Sequence, residues 1–173
     1  MVIKEKLGNL ASFNVGARSI DRVSIQWYEV NKRILHKQSQ SGREVIVKFM
    51  NEPQALTQDD VLWCDEKFAV VVDILQCEAI CIKPASMSEM AAVCYEIGNK
   101  HLPLFYYNDE VLVPFEEPLY KMLSAGGYEP KRENRKLLNQ LRTTVAPHSN
   151  TESKPSLFSK ILQLTTSATD AAY

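Results

Sequence analysis

The segment Ala79-Ile80-Cys81-Ile82-Lys83-Pro84-Ala85-Ser86-Met87-Ser88-Glu89 changes its hydrophobic period part-way, and that change decides the fold. Four apolar residues read as a short strand that stops at Lys83-Pro84. Ser86-x-x-Glu89 is then a capping box, in which the serine side chain accepts from a first-turn amide and the glutamate reaches back. The helix it opens is expected to run to about Asn99. Met87, Met90, Ala91, Cys94 and Ile97 fall on one face with Val93 beside them, and Ser88, Glu89, Tyr95, Glu96 and Lys100 lie on or near the other. Downstream, Leu104 to Tyr107 and Glu110 to Pro114 flank the turn Asn108-Asp109 and predict a strand hairpin. A second helix is expected near Glu116: Pro118 suits its first turn, Leu119, Met122 and Leu123 form an apolar stripe, and Gly126-Gly127 supplies the left-handed backbone that ends it. A last strand from about Tyr128 to Asn134 completes the order β-α-β-β-α-β, the ferredoxin-like arrangement with two helices on one face of an antiparallel sheet.

Upstream of this unit the chain reads as all-β. Val23, Ile25 and Trp27 alternate with polar neighbours, Arg33-Ile34-Leu35 and Val45 to Phe49 flank the turn Ser39-Gln40-Ser41-Gly42, and Val61 to Cys64 and Phe68 to Ile74 are joined by Asp65-Glu66-Lys67. Asn51-Glu52-Pro53 is a breaker between the two pairs. Beyond about residue 147 Ser, Thr and Asn dominate, so most of that stretch cannot bury enough to offset the entropy of ordering. Leu157, Phe158, Ile161, Leu162 and Leu164 have helical spacing there, which suits either a short helix or an idle apolar turn. The expected class is α+β in two domains: residues 1–76 a β-rich N-terminal domain, 77–147 a ferredoxin-like domain, and 148–173 a flexible tail.

A formal charge of -1 on 173 residues, 45% of them hydrophobic, fits a soluble globular chain and offers no electrostatic case for nucleic acid or an anionic membrane. Met1-Val2-Ile3-Lys4-Glu5-Lys6 carries charges where a signal peptide needs an apolar run, and no apolar stretch approaches membrane-spanning length, so a cytoplasmic location is expected. Cys64, Cys77, Cys81 and Cys94 lie within apolar strand or helix patterns and are expected to be reduced core thiols. Cys77 and Cys81 are about 13 Å apart along a straight strand, too far to chelate one ion.

No Gly-rich phosphate loop, His-Glu-x-x-His pair, Gly-x-Ser-x-Gly elbow or Cys-x-x-Cys motif occurs, which weighs against an enzyme. Three histidines remain. His36, in the alternating run Ile34-Leu35-His36-Lys37, reads as a polar-face residue, and His148 as a solvated side chain at the start of the tail. His101 differs, because it stands where the first helix turns into a strand and can project from the end of the helical layer. One imidazole cannot hold a divalent ion tightly, but a two-fold axis beside it would pair two copies, with His148 adding nitrogen ligands. On chemistry alone the ordinary reading outweighs this one, since most lone histidines bind nothing.

The segment Gly98-Asn99-Lys100-His101-Leu102-Pro103 resembles the Gly-Asn-Arg-His metal-binding signature of the UreE family of urease accessory proteins. Ser41-Gly42-Arg43-Glu44 is similar to that family's hairpin, Asp59-Asp60-Val61-Leu62 to its Gly-Asp-Val-Leu turn, and Pro114-Phe115-Glu116-Glu117-Pro118-Leu119 to the start of its second helix. Four such matches in the family's order are specific. The resemblance implies a chaperone-like peptide-binding N-terminal domain and a ferredoxin-like domain that forms a homodimer. It further implies that His101 of two subunits binds Ni(II), with Zn(II) or Cu(II) as competitors, and that His148 joins the sphere. The family's task is to supply nickel to apo-urease together with the accessory protein UreG. Lys100 stands in place of the signature arginine and lacks its planar fork. Tyr106 and Tyr107 occupy a hairpin where some members carry histidines, so few nickel ions per dimer are expected. The alternative is a peptide-binding or assembly module whose β-domain does the work and whose metal site is incidental.

Overall fold

The computed structural model describes residues 1–50 and 55–141, and residues 1–141 fall within one compact unit. The expected breaker at Asn51-Glu52-Pro53 and the expected tail from residue 148, His148 included, lie outside the described residues. In chain order the strands are β1 (Val2–Ile3), β2 (Gly8–Asn9), β3 (Ser19–Ile25), β4 (Ile34–Gln38), β5 (Glu44–Lys48), β6 (Asp60–Cys64), β7 (Phe68–Ile74) and β8 (Cys77–Ile82). Helix α1 (Met87–Asn99), β9 (Phe105–Tyr107), β10 (Glu110–Pro114), α2 (Glu117–Ala125) and β11 (Lys131–Arg135) follow.

The first half forms two sheets, ordered β1-β5-β4 and β2-β6-β7-β3. Both predicted hairpins are present, with Leu35 opposite Val47 and Cys64 opposite Ala69. Their alternate residues turn inward onto one core that includes Val23, Leu35, Val47, Phe49, Val70 and Ile74. Two connections are non-local: β1 runs parallel to β5, and β3 runs parallel to β7 with Val23 opposite Val72.

A buried carboxylate ties the β4–β5 hairpin to β3. Asp21 accepts from the Ser39 hydroxyl at 2.7 Å, the Ser41 amide at 3.0 Å, the Ser41 hydroxyl, and the Arg43 guanidinium at 2.7 Å. Burial pushes this carboxyl up, but the hydrogen bonds from Ser41, Ser39 and Arg43 outweigh it and hold the pKa at about 2. Gly42 turns the hairpin at φ 81°, a backbone that glycine adopts without strain. The Ser41-Gly42-Arg43 motif is thereby explained by folding alone.

The second half has the strand order β11-β8-β10-β9 with every neighbour antiparallel, which is the ferredoxin-like sheet expected from the sequence. Both helices cover one face, where Ile80, Ile82, Val111 and Val113 meet Val93, Ile97, Leu119 and Leu123. The other face carries Ala79, Cys81, Phe105, Leu112 and Leu137, and Trp27 from the first half packs on it. The Trp27 and Phe105 rings meet edge to face at 5.6 Å. Trp27 was expected to extend the β3 alternation; instead β3 ends at Ile25 and Trp27 begins a 3-10 turn, Trp27–Glu29. From that turn the indole packs both on the first-half core and on the face of the second-half sheet. Lys136 adds an ion pair to Asp73 at 2.6 Å. No helix among the described residues is long and apolar enough to cross a membrane.

Candidate metal site

His101 owes its position to the way α1 begins and ends. At the start, the Ser86 side chain accepts from the Glu89 amide at 3.1 Å, while the Glu89 carboxylate accepts from the Ala85 amide at 2.8 Å. The capping box is therefore offset by one residue: Ser86 satisfies the first-turn Glu89 amide, and the return bond from Glu89 reaches the residue before the cap. Val93 and Ile97 are buried against the sheet, and Met90 and Cys94 flank them. At the end, the Lys100 amide donates to the Ile97 carbonyl at 3.1 Å, and the His101 amide donates to the Gly98 carbonyl at 2.9 Å. His101 itself has φ 55°, in the left-handed region.

That conformation is the one in which helices commonly place glycine just past their last turn. For an L residue it costs roughly 1–2 kcal/mol, although histidine tolerates it better than most. The reversal throws the imidazole out to solvent while Leu104 and Phe105, three and four residues on, are buried. His101 is thus an exposed side chain on a fixed corner, built with a residue that is not the most stable choice there.

The face of α1 beside it departs from expectation. Met87 and Ala91 were expected to face the sheet, yet both are exposed, Met87 at 83%. The reason is angular. A helix turns about 100° per residue, so a buried arc spanning Met90, Val93, Cys94 and Ile97 leaves Ala91 about 110° from its centre. Met87, Ala91 and Tyr95 form instead an outward stripe, Tyr95 being 69% exposed. Gly98 continues it, and a Cβ added at Gly98 would meet nothing within 4 Å among the described residues. A shallow cavity of about 160 Å³ adjoins the corner, lined by Lys100 and Leu102 on one side and Glu116, Pro118 and Leu119 on the other.

The remaining candidates separate clearly. His36 lies on the exposed outer face of β4, in the first half of the chain. Cys81 is buried, and burial pushes its thiol up to about 11; burial raises Cys77 and Cys94 as well. Such thiols stay protonated at neutral pH and are poor ligands. All four cysteines are free. Among the described residues no three His, Cys, Asp or Glu side chains converge on one point.

Family models for the UreE urease accessory protein match the chain along most of its length, the N-terminal domain model over residues 3–75 and the C-terminal domain model over residues 77–152. The chain belongs to the UreE urease accessory protein family. It is 49% identical to the urease accessory protein UreE of Flavobacterium johnsoniae over 164 residues, covering 95% of this chain and 99% of that one. It is 42% identical to the UreE of Actinobacillus pleuropneumoniae over 84% of this chain and 80% of that one. With the UreE of Helicobacter pylori it shares 36% identity over 92% and 96% of the two chains. The UreE family is one of urease accessory proteins and not of enzymes.

One substitution relative to the family's pattern is also accounted for. Asp59, where the resembling turn has glycine, adopts φ 64° and pairs with Arg22 at 2.9 Å. Glycine suits such a backbone; aspartate tolerates it here with its carboxylate held by a neighbouring strand.

Proposed function

We propose that this chain is a nickel metallochaperone for urease assembly, in which His101 of two subunits holds Ni(II) at the interface of a homodimer. The observation that carries the reading is the left-handed backbone at His101, which keeps an imidazole on an exposed corner at a cost in stability. The neighbouring stripe of α1 supports the dimer. Gly98 has neither a positive φ nor, among the described residues, a neighbour that would exclude a side chain, so none of them requires glycine there. Close approach by a second copy supplies a reason for it, and it would bring two His101 side chains together.

Two imidazoles leave most of a nickel sphere open. His148 adds nitrogen when the ion is held, and water fills the rest. Imidazole ligands exchange readily, which suits handover to apo-urease in concert with UreG, in the cytoplasm. Zn(II) and Cu(II) compete because the same ligands accept them, and Cu(II) binds such sets most tightly. Lys100 keeps the positive charge of the family signature without its fork. The test is calorimetric titration of nickel into the intact chain, His101→Ala and His148→Ala. Loss of tight binding in His101→Ala with only weakening in His148→Ala supports the proposal. Unchanged binding in His101→Ala sinks it.

A further inference from the structure

The outer face of the β4–β5 hairpin holds ligand-bearing side chains that the reading above does not use. Residues 34, 36 and 38 of β4 and 44, 46 and 48 of β5 point outward, alternating with the buried Leu35, Val45 and Val47. In register, His36 stands opposite Ile46 and Gln38 opposite Glu44. His36 and Glu44 are therefore diagonal neighbours on one face, a relation that places Cβ atoms about 7–8 Å apart or less, within reach of two long side chains converging on one ion. Both line a surface depression of about 390 Å³ together with Lys37 and Gln38.

Neither the His36 imidazole nor the Glu44 carboxylate has a side-chain hydrogen bond or ion pair among the described residues. Their neighbours are otherwise engaged. The Lys37 ammonium is drawn to Glu29 at 2.5 Å, which removes a cation from the depression. The Gln38 amide nitrogen donates to the Gly42 carbonyl at 3.1 Å, which leaves its side-chain oxygen as an acceptor beside Glu44. Hairpin strands are stiff, and Asp21 fixes this hairpin from below through Ser39, Ser41 and Arg43.

We propose that the outer face of this hairpin is a second, weaker site for a divalent first-row ion, with His36 and Glu44 as ligands and the Gln38 side-chain oxygen completing the protein's share. One imidazole and two oxygens suit Zn(II), Ni(II) and Cu(II), while the imidazole disfavours Mg(II) and Ca(II). Water fills the remaining positions, so the ion exchanges freely. The site is independent of His101, being built in the other half of the chain.

The test uses the full-length chain carrying His101→Ala and His148→Ala, in which His36 is the only histidine left, since the sequence has three. Zn(II) is titrated while the imidazole ring signals are followed by NMR. Saturable movement of the single ring is expected, with Glu44→Gln weakening the apparent affinity at least threefold and His36→Gln lowering calorimetric binding at least tenfold. Thermal unfolding of each variant checks that the fold is kept, as it should be for exposed strand positions. A ring that does not move up to millimolar Zn(II), or a Glu44→Gln variant with unchanged ring titration, overturns the proposal. Neither result bears on nickel at His101.

Discussion

Replacing His101 by glycine or by alanine removes the same imidazole, so the difference between the two variants isolates the backbone. At φ 55° an L side chain costs roughly 1–2 kcal/mol, which alanine retains and glycine relieves. Glycine also widens the unfolded ensemble, which offsets about 0.4–1 kcal/mol of that gain. The net expectation is that His101→Gly is more stable than His101→Ala by about 0.5–1 kcal/mol. For a chain of this size that corresponds to a rise in Tm of roughly 1–4 °C. The assay is thermal unfolding of both full-length variants by circular dichroism, with chelator present so that bound metal does not contribute, and with denaturant midpoints as a second measure. A Tm for His101→Gly equal to or below that of His101→Ala refutes the argument that this corner is strained. Both variants should lose tight nickel binding, so stability and function run in opposite directions at this residue.

Three further outcomes follow from the described contacts. Asp21 has its carboxyl pKa lowered from 3.8 to about 2, so its contribution is complete above about pH 4 and is lost as pH falls through the folded value. Denaturant unfolding between pH 5 and 2 should show about 2 kcal/mol of this loss in the parent chain and little of it in Asp21→Asn, which starts less stable. Cys81, with its thiol pushed up to about 11 and its side chain buried, should be the slowest of the four cysteines to alkylate at pH 8 in the native state; rapid labelling would show that the Trp27 contact opens. Gly98→Leu should leave the fold intact, since a Cβ there meets nothing within 4 Å among the described residues, yet weaken self-association at least tenfold by sedimentation; unchanged association would remove α1 from the proposed interface.

The parts of the fold that were legible in the sequence are those set by local chemistry. The Ser86-x-x-Glu89 box, the polar turns between alternating runs and the Gly126-Gly127 stop each act within a few residues, and α1, both early hairpins and α2 form where those signals place them. Gly127 takes φ 84° just past α2, as such a stop requires. Two-residue strands such as β1 and β2 carry no period to read, and the parallel pairing of β3 with β7 depends on residues about fifty positions apart. Trp27 was misassigned because its alternation continues through Ile25, while its partner Phe105 lies far along the chain. Met87 and Ala91 are apolar at helical spacing, yet only the angular centre of the buried stripe shows that they face outward. His101 was legible as a candidate from its place at a helix end, and its left-handed backbone was not, because no glycine marks it.

The most direct measurement is native mass spectrometry of the full-length chain loaded with limiting nickel, compared with His101→Ala. The account predicts a dominant species of two chains and one nickel that disappears in the variant. One nickel on a single chain, or the same species in His101→Ala, would contradict a shared His101 site.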